Sequence, residues 1–126
     1  MWFKNERGAR RLMAEGVAMR HHFPWFRLMR TKSGRLAWRG WLRLKGGASY
    51  LISAELPVHY PYEAPVLHVL VPSLVSSCPH RYRDGTLCIH LNTWNPDNGT
   101  VVQSVGNAAI WLSRYQSWRR TGVWRS

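Results

Sequence analysis

The chain has 126 residues, and 18 Lys and Arg stand against 6 Asp and Glu, a formal charge of +12 with histidine neutral. That length holds one domain, residues 1–126, with a core of its own, and an apolar share of 45% with eight Trp excludes wholesale disorder. No apolar stretch is long enough to span a bilayer, the N-terminus lacks a secretory pattern, and two cysteines are too few for a disulfide-rich scaffold, so a reducing cytoplasm is the expected setting.

The predicted elements run in a simple order. From about Glu6 to Arg20, Ala9, Leu12, Met13, Gly16, Val17 and Met19 follow helical spacing. Asn5 stands where an N-cap belongs, and Pro24 stops the helix near His22. Trp25 to Arg30 alternates apolar and basic residues, as a half-buried strand does. Thr31-Lys32-Ser33-Gly34 is turn chemistry, and Leu36, Trp38, Gly40, Leu42 and Leu44 form one face of a second strand. Gly46-Gly47 is a hairpin signal, Tyr50 to Leu56 reads as a third strand, and Val66 to Val71 as a fourth after the proline-broken stretch Pro57 to Pro65. Short connections imply an antiparallel meander. Pro72 to Gly99 has no period, and an irregular stretch of that length in a compact domain is usually functional. A second helix runs from about Thr100 to Trp118, with Val101, Val105, Ala108, Ala109, Leu112 and Tyr115 on one side, and Thr121-Gly122 stops it. The expected class is α+β: helix, four-stranded meander, long loop, helix.

The loop gathers the chemistry: Cys78-Pro79-His80, then Asp84-Gly85-Thr86-Leu87-Cys88-Ile89-His90. A thiol on a constrained turn can act as a nucleophile, with His80 or His90 favouring the thiolate. A small buried core residue is the competing reading of either cysteine, and pattern alone leaves both open. Cys78, His80, Cys88 and His90 also have zinc-ligand chemistry, but the single-residue spacing within each pair does not match structural sites, so neither metal nor cofactor is expected. Asp84, before Gly85, reads as a turn former.

These residues resemble the ubiquitin-conjugating (UBC) enzymes. Tyr60-Pro61-Tyr62-Glu63-Ala64-Pro65 is similar to that family's YPF-x-x-P segment, and Gly85-Thr86-Leu87-Cys88 to its G-x-[IL]-C. Cys78-Pro79-His80 occupies the place of the His-Pro-Asn tripeptide, His80 lying eight residues before Cys88, and Trp94-Asn95-Pro96 echoes Trp-Ser-Pro. The resemblance covers roughly Trp25 to Trp118 and implies a UBC-like fold. The chain stops eight residues after Trp118, where eukaryotic members continue with two more helices. That brevity, His80 in place of Asn, and the Trp-rich end resemble prokaryotic relatives of anti-phage operons, CBASS among them.

The resemblance implies that Cys88 carries the C-terminus of a ubiquitin-like or other partner protein as a thioester and passes it to a lysine amine. An activating-enzyme-like protein would load it, and a ubiquitin-like modifier or a cGAS-like nucleotidyltransferase would be donor or target. Catalytic candidates are Cys88, His80, His90 and Asp97. Tyr60, Pro61, Pro65, Pro79, Gly85, Trp94 and Pro96 would shape the site, and Cys78 would be structural, although it could also resolve an oxidised Cys88 or receive the acyl group. Arg7, Arg10 and Arg11 fall on the helix that resembles the family's docking element for activating enzymes, which turns the charge toward an acidic protein partner. Two other classes compete: an inactive binding module on the same scaffold, and a basic nucleic-acid binder, the latter disfavoured because the arginines run from Arg7 to Arg125 without forming one patch.

Overall fold

A computed structural model describes residues 2–89 and 93–125. Helix α1 spans Glu6–His22, strands β1 to β4 span Arg27–Arg30, Leu36–Arg43, Ser49–Glu55 and Val66–Val71, and helix α2 spans Val101–Thr121. A 3-10 turn over Trp2–Lys4 precedes α1, an element the hydropathy pattern did not signal. The strands form one antiparallel sheet in the order β1-β2-β3-β4, the meander that short turns dictate. Register follows the turns: Trp38 faces Ala54 across β2–β3, and Ala54 faces Leu67 across β3–β4. Gly34, Gly46 and Gly47 take the positive φ values that the two hairpins need, at 85°, 96° and 95°.

Both helices cover one face of the sheet. Leu36, Trp38 and Leu42 of β2, Tyr50, Ile52 and Ala54 of β3, and Leu67 of β4 pack against Met19 of α1 and against Val101, Val105, Ala108, Leu112 and Tyr115 of α2. Each is an every-second-residue set on a strand or an every-third-or-fourth set on a helix, so the period alone places it. Asn5 caps α1 by accepting from the Gly8 N–H at 2.7 Å, and Thr100 caps α2 by accepting from Gln103 at 3.1 Å. Gly122, left-handed at φ 78°, ends α2. Strand β1 starts at Arg27, two residues later than the alternation suggested, because Pro24 and Trp25 form the turn out of α1.

Helix α1 departs from its sequence pattern. Its inward residues are Glu15 and Met19, with Leu12 half-buried, while Met13 and Val17 are 72% and 59% exposed. A carboxylate takes an interior position that the apolar stripe assigned to neighbouring residues. Among the described residues no helix is long and apolar enough to cross a membrane.

Candidate active site

The chain leaves β4 at Pro72 and is held against α2 as it goes. The Val75 N–H donates to the Tyr115 hydroxyl at 3.0 Å, and the Cys78 N–H to the Val75 carbonyl at 3.1 Å. Cys78 is buried in the core cluster, and that burial pushes its thiol up from the ordinary cysteine range. This is the structural role favoured for it. Pro79 follows, half-buried.

His80 has φ 58°, the left-handed region. Its carbonyl accepts from the Trp111 indole N–H at 2.9 Å and from the Cys88 N–H at 3.1 Å, and its exposed ring lies 5.1 Å from that of Trp124. The backbone conformation thus aims one carbonyl at two donors, one on α2 and one on Cys88 itself. Asn and His are both enriched among non-glycine residues at positive φ, which is a physical reason why His stands where the resembling family has Asn.

A small hairpin follows. Arg81 and Leu87 form a β-bridge, the Tyr82 N–H donates to the Thr86 carbonyl at 2.8 Å, and the Gly85 N–H to the Tyr82 carbonyl at 2.9 Å. Gly85, at φ 91°, closes the turn. Asp84 braces it, Oδ1 accepting from the Thr86 N–H at 3.0 Å and from the Thr86 hydroxyl at 2.7 Å. Those two bonds favour the carboxylate and hold its pKa below the usual Asp value. Leu87, buried, anchors the hairpin to β4 through its N–H and the Leu67 carbonyl at 2.9 Å.

Cys88 comes next, a half-buried free thiol on the rim of this hairpin. Each lies one residue past the Arg81–Leu87 bridge on its own strand, so Cys88 and Tyr82 share a face as diagonal neighbours. The Cys88 side chain on that face is the main influence that raises the Tyr82 phenol above its ordinary pKa, with the Asp84 carboxylate adding to it. Sequence reasoning missed Tyr82. Pro65 lies by the same rim, lining a cleft of about 180 Å³ with Tyr82, Leu87 and Ile89. His90 lies outside the described residues.

A second polar cluster supports the far end of the loop. Glu15 Oε1 accepts from the Val101 N–H at 2.8 Å, and Oε2 accepts from the Tyr60 hydroxyl and lies 3.6 Å from Arg11 Nε. Arg11 donates to the Gly99 carbonyl at 2.6 Å, the Tyr60 hydroxyl at 3.2 Å and the Pro96 carbonyl at 3.3 Å. Arg11 therefore points inward, tying α1 to the loop before α2, and differs from Arg7 and Arg10, which are exposed on the same helix. The Trp94 indole donates to the Pro61 carbonyl at 2.8 Å, and its ring lies 6.0 Å from Tyr60. Tyr60, Pro61, Trp94 and Pro96 thus form one scaffold, and burial first, then the Glu15 carboxylate, drives the Tyr60 phenol far above its ordinary pKa.

The loop brings the His80 carbonyl onto the Cys88 N–H, with Gly85 closing the hairpin that leads to Cys88. Asp97 is exposed and lines a cleft of about 380 Å³ with Arg7, Arg11, Tyr62 and Pro96, a cleft that Cys88 does not line. Among the described residues no group of three or more His, Cys, Asp and Glu side chains is arranged to hold a metal ion.

A family model described as "Type II CBASS E2 protein" matches residues 15–126. Among solved structures, the chain is similar to a Vps23 UEV domain in a complex with ubiquitin, at TM-score 0.61 and 16% identity over 86% of this chain and 84% of that one. It is also similar to the yeast vps23 UEV domain in complex with a vps27 PSDP peptide, at TM-score 0.62 and 17% identity over 85% and 81%. Both are UEV domains, which have the UBC fold, and at such identities the likeness is one of fold. No curated protein sequence matches the chain.

Proposed function

The chain belongs to the E2-CBASS family of type II CBASS proteins, and on that premise we propose that it is a ubiquitin-conjugating-like cysteine acyltransferase of bacterial anti-phage defence. Cys88 carries the C-terminus of a ubiquitin-like modifier, or of another partner protein such as a cGAS-like nucleotidyltransferase, as a thioester. A lysine amine of the target then attacks the thioester carbonyl. The setting is the cytoplasm, where the thiol stays reduced.

The observation that carries this reading is the placing of Cys88. A free sulfur stands half-buried at the rim of a braced hairpin, with its backbone fixed by the His80 carbonyl. A nucleophile needs that combination of access and fixed direction. His80 sets the backbone of Cys88, and its exposed imidazole is the candidate acceptor for the amine proton. Helix α1 offers the activating-enzyme-like partner a mixed face, Met13 and Val17 flanked by Arg7, Arg10 and Arg20, all exposed.

The test supplies the purified chain with ATP and with the activating enzyme and acceptor protein encoded beside it. A reductant-sensitive adduct on Cys88, absent from Cys88→Ala, is the expected result. No adduct, together with a Cys88→Ala strain as well protected from phage as wild type, overturns the proposal. The second reading, a binding module, rests on the UEV likeness, those domains having been solved with ubiquitin and with a peptide. It predicts a Cys88 inert to alkylation.

A further inference from the structure

We infer that Trp124 is a positioning residue for the transfer, its ring clasping the His80 imidazole from the segment after α2 and holding it in one orientation. The inference rests on the transfer reading above, in which that imidazole accepts the amine proton.

Local bonds fold that segment back. Gly122, left-handed at φ 78°, turns the chain, its N–H donating to the Trp118 carbonyl at 2.7 Å. The Thr121 hydroxyl donates to the Ser117 carbonyl at 2.8 Å and accepts from the Val123 N–H at 3.2 Å. Trp124 then lies against two rings, its centroid 5.1 Å from that of His80 and 5.1 Å from that of Trp111. Both separations fall in the range where aromatic pairs attract. Trp111 is itself buried on α2 and stacked on Tyr115, four residues on, at 5.6 Å and 10°. Its indole N–H holds the His80 carbonyl at 2.9 Å. Trp111 therefore fixes both ends of His80, the carbonyl directly and the ring through Trp124.

The role follows from what a base requires. The amine nitrogen attacks the thioester carbonyl carbon and a C–N bond forms. The C–S bond then breaks and its electron pair stays on sulfur. The amine proton passes to an imidazole nitrogen, which later releases it to solvent. A base must lie within hydrogen-bond reach of the proton it takes, and an exposed imidazole on a loop otherwise turns among its staggered rotamers. With Trp124 against it, the His80 ring is held from one side and stays exposed on the other. Trp124 acts through that ring and exchanges no proton itself.

Trp124→Ala is the test, with Trp124→Phe as the conservative variant that keeps a ring. Trp124 is half-buried at the edge of the core, so its loss leaves the sheet and both helices packed. Two readouts are taken. The first is NMR of the His80 ring protons, assigned by their loss in His80→Asn. The Trp124 ring current displaces them in the wild type; Ala should return them most of the way to the values of a histidine in an unstructured peptide, and Phe should move them less. The second is single-turnover discharge of the preformed Cys88 adduct to an amine. Ala should slow it about two- to tenfold, the worth of one aromatic pair, and Phe should recover most of that. His80→Asn removes the imidazole but suits the left-handed backbone, and in that background Trp124→Ala should slow discharge no further.

His80 shifts that do not move in the Ala variant overturn the clasp. Moved shifts with unchanged discharge overturn the positioning role. Equal slowing by Trp124→Ala in the wild-type and His80→Asn backgrounds also overturns it, since that is the result a merely structural tryptophan predicts. A wild-type chain that forms no adduct with its partners retires the transfer reading and this role with it, while the shifts decide the contact by themselves.

Discussion

Glu15 gives the most demanding test of how the loop is supported. Its carboxylate is 6% exposed and joins three parts of the chain: the first N–H of α2 at Val101, the Tyr60 hydroxyl, and Arg11. Glu15→Ala leaves the Val101 N–H and the Tyr60 hydroxyl without their acceptor, each at about 1–3 kcal/mol when buried. It also leaves Arg11 unpaired, although that guanidinium is a quarter exposed and keeps its carbonyl acceptors, so its share is small. The expected loss is about 3–5 kcal/mol, close to that for removing one partner of a buried pair, in a domain whose whole stability is on the order of 5–15 kcal/mol. Glu15→Gln keeps one oxygen for Val101 and the shape of the side chain, and should lose about 1–2 kcal/mol. Urea denaturation followed by circular dichroism reads both. With a slope near 1.5 kcal/mol per molar, the Ala variant's midpoint falls by about 2–3 M. A loss under about 1 kcal/mol for Ala, or equal losses for Ala and Gln, refutes the account of two hydrogen bonds and an ion pair meeting on one carboxylate.

Two further outcomes follow from the same scaffold. The Tyr60 pKa is raised in the folded protein, so the folded state holds the proton more tightly than the unfolded one; stability is full below about pH 10 and falls as pH rises above it. Tyr60→Phe should flatten that alkaline limb in urea melts at pH 9 to 11, and a limb of unchanged slope would assign it to another group. At Gly99 a Cβ would lie 2.5 Å from the Trp94 ring, so Gly99→Ala must displace the indole from Pro61 and should cost about 1–3 kcal/mol. A melting temperature equal to wild type would show that the Trp94–Pro61 bond braces nothing.

How legible these features are in sequence depends on the range of the interaction that makes them. Strands β2 to β4 and α2 are set by periods of 2 and 3.6, which are local, and they stand where those periods put them. The hairpin glycines are legible for the same reason. Glu15 is not, because its partners lie 45 and 86 positions away, at Tyr60 and Val101. Hydropathy reads a glutamate as a surface residue, so it assigned the inward stripe to Met13 and Val17, which the fold leaves exposed. Arg11 escaped for the matching reason, since its carbonyl acceptors are at Pro96 and Gly99. Tyr82 is an intermediate case. Asp84-Gly85 is a hairpin signal standing in the sequence, and a hairpin register centred on it sets Tyr82 against Thr86 and diagonal to Cys88.

His80 shows where residue type and residue role separate. As an imidazole eight positions before Cys88, it invites a reading as base or oxyanion donor. In the fold its carbonyl is the occupied group, bonded to Trp111 and to Cys88, while its ring lies against Trp124. What that position must supply is a left-handed backbone at φ 58°, and both Asn and His tolerate it. The exchange of amide for imidazole is therefore accommodated by the backbone whatever the ring does. The side chain that hairpin register sets on the same face as Cys88 is that of Tyr82, from the next turn of the same loop. Backbone geometry thus holds Cys88 in place through the His80 carbonyl, and register sets Tyr82 on its face, so both influences come from residues two positions apart.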